Sequence, residues 1–557
     1  MKFERRMRSE KRKALGSHYT PEALARFVAK SIFEHVEQTG SPLSVLDPAV
    51  GDGELLKAML SENAGGDLTL QAFDIDQTAY DVAKETLQPV LNGYPFQIEQ
   101  KDFIEDLEMG DALFQDNRQY DLCISNPPYV RTQVLGAEKA RQIAKRFNLT
   151  GRIDLYQAFI LGIAYSLKPG GILGIIVSNR FISTKTGASV RREIAELFEI
   201  LHVWDLGDTR LFEAAVLPSV LILRRKGGNA ETVTPRFSSI YEVKEEAVAE
   251  VPDVISALQH NGLVRSEGRT FRVQHGTLDW GDDPSSVWRL ASEESDTWLS
   301  TIERHTSYIF KDLGKIRVGV KTTADKVFCK KEWPNGRPEL ARPLITHHVG
   351  DRYIGGKAEK EILYPHKHDE RGGKRVMDLE PYPISKAYLE SHREQLENRS
   401  YVIKAGRRWY EIWVPQDPAS WDKPKLIFRD IAEQAMFWMD NSGAVVNGDC
   451  YWLVLKNGLN EDLLWLALAV GNSQIATDFY DRKFNNRLYA GRKRFMTQYV
   501  EQFPIPDPTN PNAQEAVRLV KDIYGRKGKG ETTQDQEDAL EQALLRAFGL
   551  AIKEVAG

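Results

Sequence analysis

Between Ser44 and Leu223 short apolar runs alternate with amphipathic stretches, and no other feature of the chain restricts its fold as strongly. The runs SVLDPA, LQAFDID, FQIEQKDF, YDLCISN, GILGIIVSN, ILHVWDL and SVLILRR have the length and composition of buried strands. Among them, GELLKAMLSEN, QTAYDVAKETLQ and IDLYQAFILGIAYSLK place apolar residues at helical spacing, and Pro169-Gly170-Gly171 is expected to end the last of these helices. Strands alternating with helices predict an α/β, doubly wound, mostly parallel sheet of Rossmann-like type. Such sheets bind ligands beyond the carboxyl ends of their strands, so functional residues are expected there.

At 557 residues the chain exceeds one ordinary domain. The sheet domain is expected over residues 1–245. Beyond it the texture turns acidic and turn-rich, as in VPDVISALQHNGLVRSEG and LDWGDDPSS, and residues 246–300 read as a connecting region. Residues 301–557 read as a second, mixed α+β domain with strands KPKLIFRDI and CYWLVLK, a helical LLWLALAVGNSQIATDFY and a C-terminal amphipathic helix. The cysteines, Cys123, Cys329 and Cys450, lie too far apart for a zinc site, and their scarcity argues against a disulfide framework. No metal is expected. No segment approaches the roughly 20 apolar residues that span a bilayer, and the basic N-terminus lacks the apolar stretch of a signal peptide, so a cytoplasmic protein without a membrane partner is expected. A net charge of −5 means that any nucleic-acid contact must come from local basic patches.

In SVLDPAVGDGELLKAML a strand leads through Asp47 and the small residues Ala49, Gly51 and Gly53 into a helix. Glycines at this turn let the backbone approach a ligand, although such glycines also arise for steric reasons. The spacing departs from the G-x-G-x-x-G that grips a pyrophosphate, as suits a cofactor without phosphate. The next strand ends in Asp74, where a carboxylate accepts hydrogen bonds from ribose hydroxyls, with Asp76 as the alternate. The strand after that supplies Asp102, an acceptor for an adenine amine, and Phe103, a ring for its face. Acidic strand ends in this series match a nucleoside that carries an amino-acid tail, which is S-adenosyl-L-methionine.

The fourth strand delivers Asn126-Pro127-Pro128-Tyr129. The prolines fix φ and restrict the residues before them, which stiffens the loop. In isolation the same residues would also serve as a polyproline turn or a docking segment. Behind a cofactor series they fit the transfer of a methyl group to a planar amine. The Asn126 side-chain oxygen and the Pro127 carbonyl each accept one amine proton, which frees the nitrogen lone pair for attack, and Tyr129 stacks on the base. No cysteine follows the prolines to act as a covalent nucleophile.

In order, GSHYTPEALARFV, VLDPAVGDG, FDID, KDF, SNPPY, GILGIIVSNRFI and TRLFEAAVLPSVLIL resemble the motifs of the gamma-class, TaqI-like N6-adenine DNA methyltransferases of restriction-modification systems, over about residues 15 to 225. The resemblance implies that Thr20 contacts the methionine end of the cofactor, Asp47 and Ala49 lie near it, Asp74 and Ile75 hold the ribose, and Asp102 and Phe103 hold the adenine. It also implies that Phe212 clamps an extruded target base opposite Tyr129, the other reading of Phe212 being a core ring. Asp47 stands where several relatives carry Glu, and Val50 precedes the glycine.

Residues 301–557 resemble, more loosely, the family's target recognition domain, in GKIRVGVKTTADKVF, KPKLIFRDIAEQAMFWMDNSGAVVNGDCYWLVL and ALAVGNSQIATDFYDRKF. Arg407 and Arg408 form one aromatic-interleaved basic patch, and Arg482, Lys483, Arg487, Arg492, Lys493 and Arg494 a second. Each alone would read as a solvated face; together they are expected to contact double-stranded DNA. The implied protein is a monomeric modification enzyme of a type II system, with any cognate endonuclease acting separately. An RNA adenine or protein glutamine methyltransferase, and a non-catalytic DNA-binding defence subunit, are the alternatives.

Overall fold

The computed structural model describes residues 19–36, 41–107, 120–129, 137–147, 154–212, 217–227, 233–247, 249–369, 373–484, 488 and 491–551. The chain divides into two compact units, residues 1–293 with 487–491, and residues 294–486 with 492–557.

In the first unit the expected strands form β1 (Leu43–Asp47), β2 (Leu68–Asp74), β3 (Phe96–Gln100), β4 (Tyr120–Ser125), β5 (Leu167–Ser178), β6 (Phe198–Asp205) and β7 (Pro218–Arg225). They lie in the order β3-β2-β1-β4-β5-β7-β6. β1 pairs in parallel with both β2 and β4, so the winding reverses between β1 and β4 and opens a crevice at their carboxyl ends. β7 inserts antiparallel between β5 and β6.

The period-2 alternation of a strand divides the core between the two faces of the sheet. Val45, Leu122, Ile124 and Ile176 pack with helices α1 (Glu22–Phe33) and α2 (Glu54–Glu62), through Leu24, Val28, Ile32, Leu56 and Met59. Their neighbours Leu46, Cys123, Leu173 and Val177 pack on the other face, with Phe159, Ile160 and Ile163 of α4 (Leu155–Ser166). A further helix, α3 (Gln77–Leu87), follows β2 and is capped by Asp76, which accepts from the Thr78 amide at 3.0 Å. Gly174 is required on the α1 face, because a Cβ there would stand 2.6 Å from Ile32 Cδ1. Pro169-Gly170-Gly171 does not form the helix terminus itself. α4 stops at Ser166, and the three residues lie within β5, where the register against β4 shifts between Tyr120 and Leu122.

Residues 246–293 differ from the expected connection. They carry β9 (Ala249–Val251), β10 (Gly262–Ser266), β11 (Arg269–Asp279) and β12 (Arg289–Ala291), which extend the same sheet through β8 (Arg236–Val243) in the order β6-β8-β11-β10-β9, with β12 on β11. Eight register pairs join β11 to β8, Thr270↔Val243 through Thr277↔Arg236. The turns that punctuate the sequence, such as Glu267-Gly268 with both residues at positive φ, are hairpin corners rather than linker.

The second unit is mixed α+β. A five-stranded sheet contains β13 (Arg317–Val318), β16 (Tyr353–Ile354), β18 (Lys425–Arg429), β19 (Phe437–Asp440) and β21 (Cys450–Val454), in the order β13-β21-β18-β19-β16. A four-stranded sheet contains β14 (Cys329–Lys330), β15 (Ala341–Ile345), β17 (Lys360–Leu363) and β20 (Val445–Val446), in the order β14-β17-β15-β20. The segment expected as one helix over 463–480 is two, α5 (Asp462–Gly471) and α6 (Gln474–Phe484). The chain ends in α7 (Pro511–Lys527) and α8 (Gln534–Ala547). Among the described residues no helix is long and apolar enough to cross a membrane.

Candidate active site

β1 ends in Asp47, which is fully buried; its Oδ1 accepts from the Ala49 amide at 3.1 Å. Its Oδ2 is buried and has no hydrogen-bond partner among the described residues. Burial pushes this carboxyl well above the usual carboxylate range, and the nearby Asp74 charge adds to the shift. Gly51 follows at φ +58° and Gly53, the residue before α2, at φ +83°. A Cβ on Gly51 would meet nothing within 4 Å, so the glycine is there for its backbone angle and for the open space above it.

β2 ends in Asp74, which ties this turn to the next strand. Its Oδ2 accepts from the Gly51 amide at 3.0 Å and its Oδ1 from the Asp76 amide at 2.9 Å. Partial burial raises its pKa, and the two amide bonds oppose the rise. Beside it Ile75 is 60 % exposed, an apolar side chain left in solvent at a strand end.

Asp102 caps the helical turn Phe103–Asp106, with Oδ1 accepting from the Ile104 and Glu105 amides at 3.0 and 3.4 Å. Phe103 does not present a free face. Its ring is buried, with centroids 5.7 Å from Phe73 and 5.9 Å from Phe159, because the turn drives it into the α4 side of the core.

β4 delivers the apex. Asn126 Nδ2 donates to Thr20 Oγ1 at 3.1 Å, and the Tyr129 hydroxyl donates to Asn126 Oδ1 at 3.0 Å. Thr20, just before α1, is thus brought to a residue 106 positions away. These bonds set the amide's orientation, with nitrogen toward Thr20 and oxygen toward Tyr129. Burial pushes the Tyr129 hydroxyl far above the ordinary tyrosine value, so it stays a donor at every physiological pH. Phe212 is 7 % exposed and packs with Trp204, Leu206 and α1 as a core ring.

One group of residues at the same sheet edge was not singled out in the sequence. Asn179, directly after β5, donates to Asp205 Oδ1 at the end of β6 at 2.8 Å and to the Tyr241 hydroxyl at 3.3 Å. Tyr241 in turn donates to Asp205 Oδ2 at 2.6 Å, and all three residues are buried. The available signal was the Ser-Asn that closes two strand runs, Ser125-Asn126 and Ser178-Asn179. The network anchors the segment that leads from β6 to Phe212.

The expected DNA-contacting cations of the second unit are largely engaged within it. Arg407 donates to the Trp413 carbonyl at 2.6 Å, and its guanidinium lies 4.7 Å from that ring's centroid; Arg408 donates to the Tyr410 hydroxyl at 2.6 Å. Arg482 pairs with Glu294 at 3.0 Å, Lys483 with Glu303 at 3.1 Å and Arg494 with Asp430 at 3.2 Å. Lys493 is buried against Asp481 at 3.3 Å. Arg492 is exposed and has no ion pair among the described residues. Arg487 lies outside the described residues.

The acceptors at the carboxyl ends of β1 and β2 fit S-adenosylmethionine. An unpartnered buried carboxylate oxygen suits its cationic end, the cradle over Gly51 suits its bulk, and both Asp74 oxygens keep lone pairs for ribose hydroxyls. Residues 68–212 match the Eco57I restriction-modification methylase family, and residues 376–505 match the TaqI-like C-terminal specificity domain. The chain is 36% identical to the Type II methyltransferase M.BanIII of Aneurinibacillus aneurinilyticus, over 97% of this chain and 98% of that one. It is 25% identical to M.BstVI of Geobacillus stearothermophilus, over 86% and 87% of the two chains. In a solved DrdV–DNA complex the same fold recurs at 12% identity with a TM-score of 0.54, covering 94% of this chain and 58% of that one. Fold and site define a class I methyltransferase that uses S-adenosylmethionine. The chain belongs to the gamma-class, TaqI-like type II methyltransferases of restriction-modification systems.

Proposed function

We propose that this enzyme methylates N6 of an adenine extruded from double-stranded DNA, at a sequence read by residues 301–557 and with the transfer carried out by residues 1–245. Asn126, held between Thr20 and Tyr129 at the sheet's switch point, is the observation that carries the reading. S-Adenosylmethionine supplies the methyl group on a sulfonium that needs no metal. Asp47, Ala49 and Gly51 hold its methionine portion with Thr20, while Asp74, Ile75 and Asp102 hold its nucleoside.

The chain's own part is to position an amine and remove its conjugation. Asn126 Oδ1 accepts from the Tyr129 hydroxyl, and an amide oxygen, with two lone pairs, also has the capacity to accept from one N–H of the target amine. The Pro127 carbonyl accepts a hydrogen bond from the second amine N–H, and Pro127 and Pro128 keep the loop from yielding when the base arrives. The nitrogen sheds its extra proton to solvent once the methyl is transferred and the cofactor's thioether has left. Tyr129 stacks on the base. Phe212 serves as the second clamp only if its ring leaves the core position it holds here. Holding the amine near the methyl donor supplies much of the rate.

The match of the TaqI-like specificity domain over residues 376–505 supports a DNA substrate over ribosomal RNA or a protein glutamine. The enzyme is read as a cytoplasmic monomer that modifies DNA independently of any cognate endonuclease. Incubation of the full chain with methyl-labelled cofactor, duplex DNA, ribosomal RNA and cell protein tests the substrate class. Label recovered as N6-methyladenine in duplex DNA supports the reading, and label confined to RNA or protein refutes it.

A further inference from the structure

The second unit holds a cavity of about 630 Å3. Its frame is a close crossing of two backbone segments. Val320 bridges to Asn447, the Val320 amide donates to the Val446 carbonyl at 2.8 Å, and the Gly319 amide donates to the Cys450 carbonyl at 2.9 Å. No side chain fits at Gly319, where a Cβ would lie 2.0 Å from the Asn447 carbonyl oxygen. The following residues are pinned as well. Thr323 is held at φ +60°, and the buried Arg399 donates to the Thr322 carbonyl at 3.0 Å.

Four side chains that line this frame, Lys321, Lys326, Gln395 and Asn447, make no side-chain hydrogen bond or ion pair among the described residues. This sets the two lysines apart from the engaged cations of the basic patches. Two acceptors share the cavity: Asp325, which takes a hydrogen bond from the Thr322 hydroxyl, and Asp449, 2.6 Å from His347 Nδ1. A run of phosphates would meet those carboxylates as like charges. Base edges ask for this mixture. Asn and Gln pair with adenine N6 and N7, Lys with guanine O6 and N7, and a carboxylate accepts from cytosine N4.

We infer that this cavity reads base edges of the target sequence, with Lys326, Gln395 and Asn447 as specificity-determining residues. The inference rests on the DNA-methylating reading given above. Lys326 and Gln395 are exposed, so alanine there removes no packing; Asn447 is partly buried.

The test compares the full-length enzyme with Lys326→Ala, Gln395→Ala and Asn447→Ala on a duplex library of random sequence, mapped by modified-base sequencing. Discrimination at one or more motif positions is expected to fall at least about tenfold in the variants, with methylation of the original site retained. If all three variants keep the wild-type motif, the inference is overturned. A uniform loss of affinity with a shallower salt dependence likewise overturns it, since that is the behaviour of a phosphate contact. Absence of N6-methyladenine with the unaltered enzyme would instead refute the methylating reading, so the two failures are distinguishable.

Discussion

Asn126 has one side-chain oxygen to offer a target amine, and Thr20 decides which way that oxygen faces. A side-chain amide flipped by half a turn would present its nitrogen, a donor, to a group that must itself donate. Thr20→Val keeps the shape and removes the acceptor for Asn126 Nδ2. A single hydrogen bond of about 1 kcal/mol, lost where the amine is held, lowers the methylation rate by roughly fivefold. Single-turnover rates at saturating cofactor report this loss, and calorimetric titration of the cofactor separates it from weaker binding.

At Asp47 binding and stability oppose each other. Its folded-state pKa is raised, chiefly by desolvation, so ionisation costs the ligand-free fold stability. The contribution is fully favourable below the ordinary aspartate value near 4 and is lost as pH rises through the higher folded-state value. Asp47→Asn is therefore expected to melt higher than the unaltered enzyme at pH 8 without cofactor, and to lose this advantage as pH falls toward 4. The same variant binds S-adenosylmethionine more weakly. Thermal melts across pH, with and without cofactor, check both signs.

At the scale of elements, α1 matters because it begins directly after Thr20 and Pro21 and lies on β5 at Gly174. Gly174→Ala places a Cβ 2.6 Å from Ile32 Cδ1 and 2.9 Å from Val28 Cγ1. Overpacking of this kind costs about 1–3 kcal/mol. Urea unfolding is expected to show that loss, and methylation to fall with it because the helix carries the Asn126 partner. Strands β4 to β7 were legible because each reads as a largely buried apolar run, and β1 and β2 because each runs into an acidic residue at its end; β3, FQIEQ, has no fully buried residue and was marked by its place before Asp102. β8 to β12 were less legible. β11, RTFRVQHGTLD, alternates polar and apolar residues, and Gly262, Gly268 and Gly281 at positive φ mimic a linker. The break between α5 and α6 was invisible for another reason. Asn472 Nδ2 donates to the Phe437 carbonyl at 2.8 Å, and its Oδ1 accepts from the Phe437 amide at 3.0 Å, bonds that exist only once distant segments meet. Within the site, Asp47, Asp74 and Asn126 were readable from their strand ends. The inward turn of Phe103 depends on Phe73 and Phe159, and the Asn179–Asp205–Tyr241 network depends on strands that become neighbours only through folding.

Over the whole molecule the net charge is −5, so DNA affinity must be concentrated in a few cations rather than spread over the surface. Adjacent residues are expected to behave differently. Arg492→Ala lowers DNA affinity about equally for all sequences and reduces the salt slope by roughly one, as loss of a phosphate contact does. Lys493→Ala lowers the melting temperature instead, because it leaves the Asp481 carboxylate without the buried ammonium beside it. Arg482 and Lys483 occupy exposed pairs worth at most about 1 kcal/mol, weak enough for phosphate to replace their carboxylate partners. Titrations at several salt concentrations, set beside melting curves, separate these outcomes.

The most direct test is the quantity of N6-methyladenine in duplex DNA methylated by the unaltered enzyme and by Asn126→Ala, with folding and cofactor binding measured on both. The modified base is expected at one motif with the unaltered enzyme and at background with the variant, while the variant still folds and binds S-adenosylmethionine. Undiminished methylation by Asn126→Ala, or a modified base other than N6-methyladenine, would contradict the role assigned to this residue.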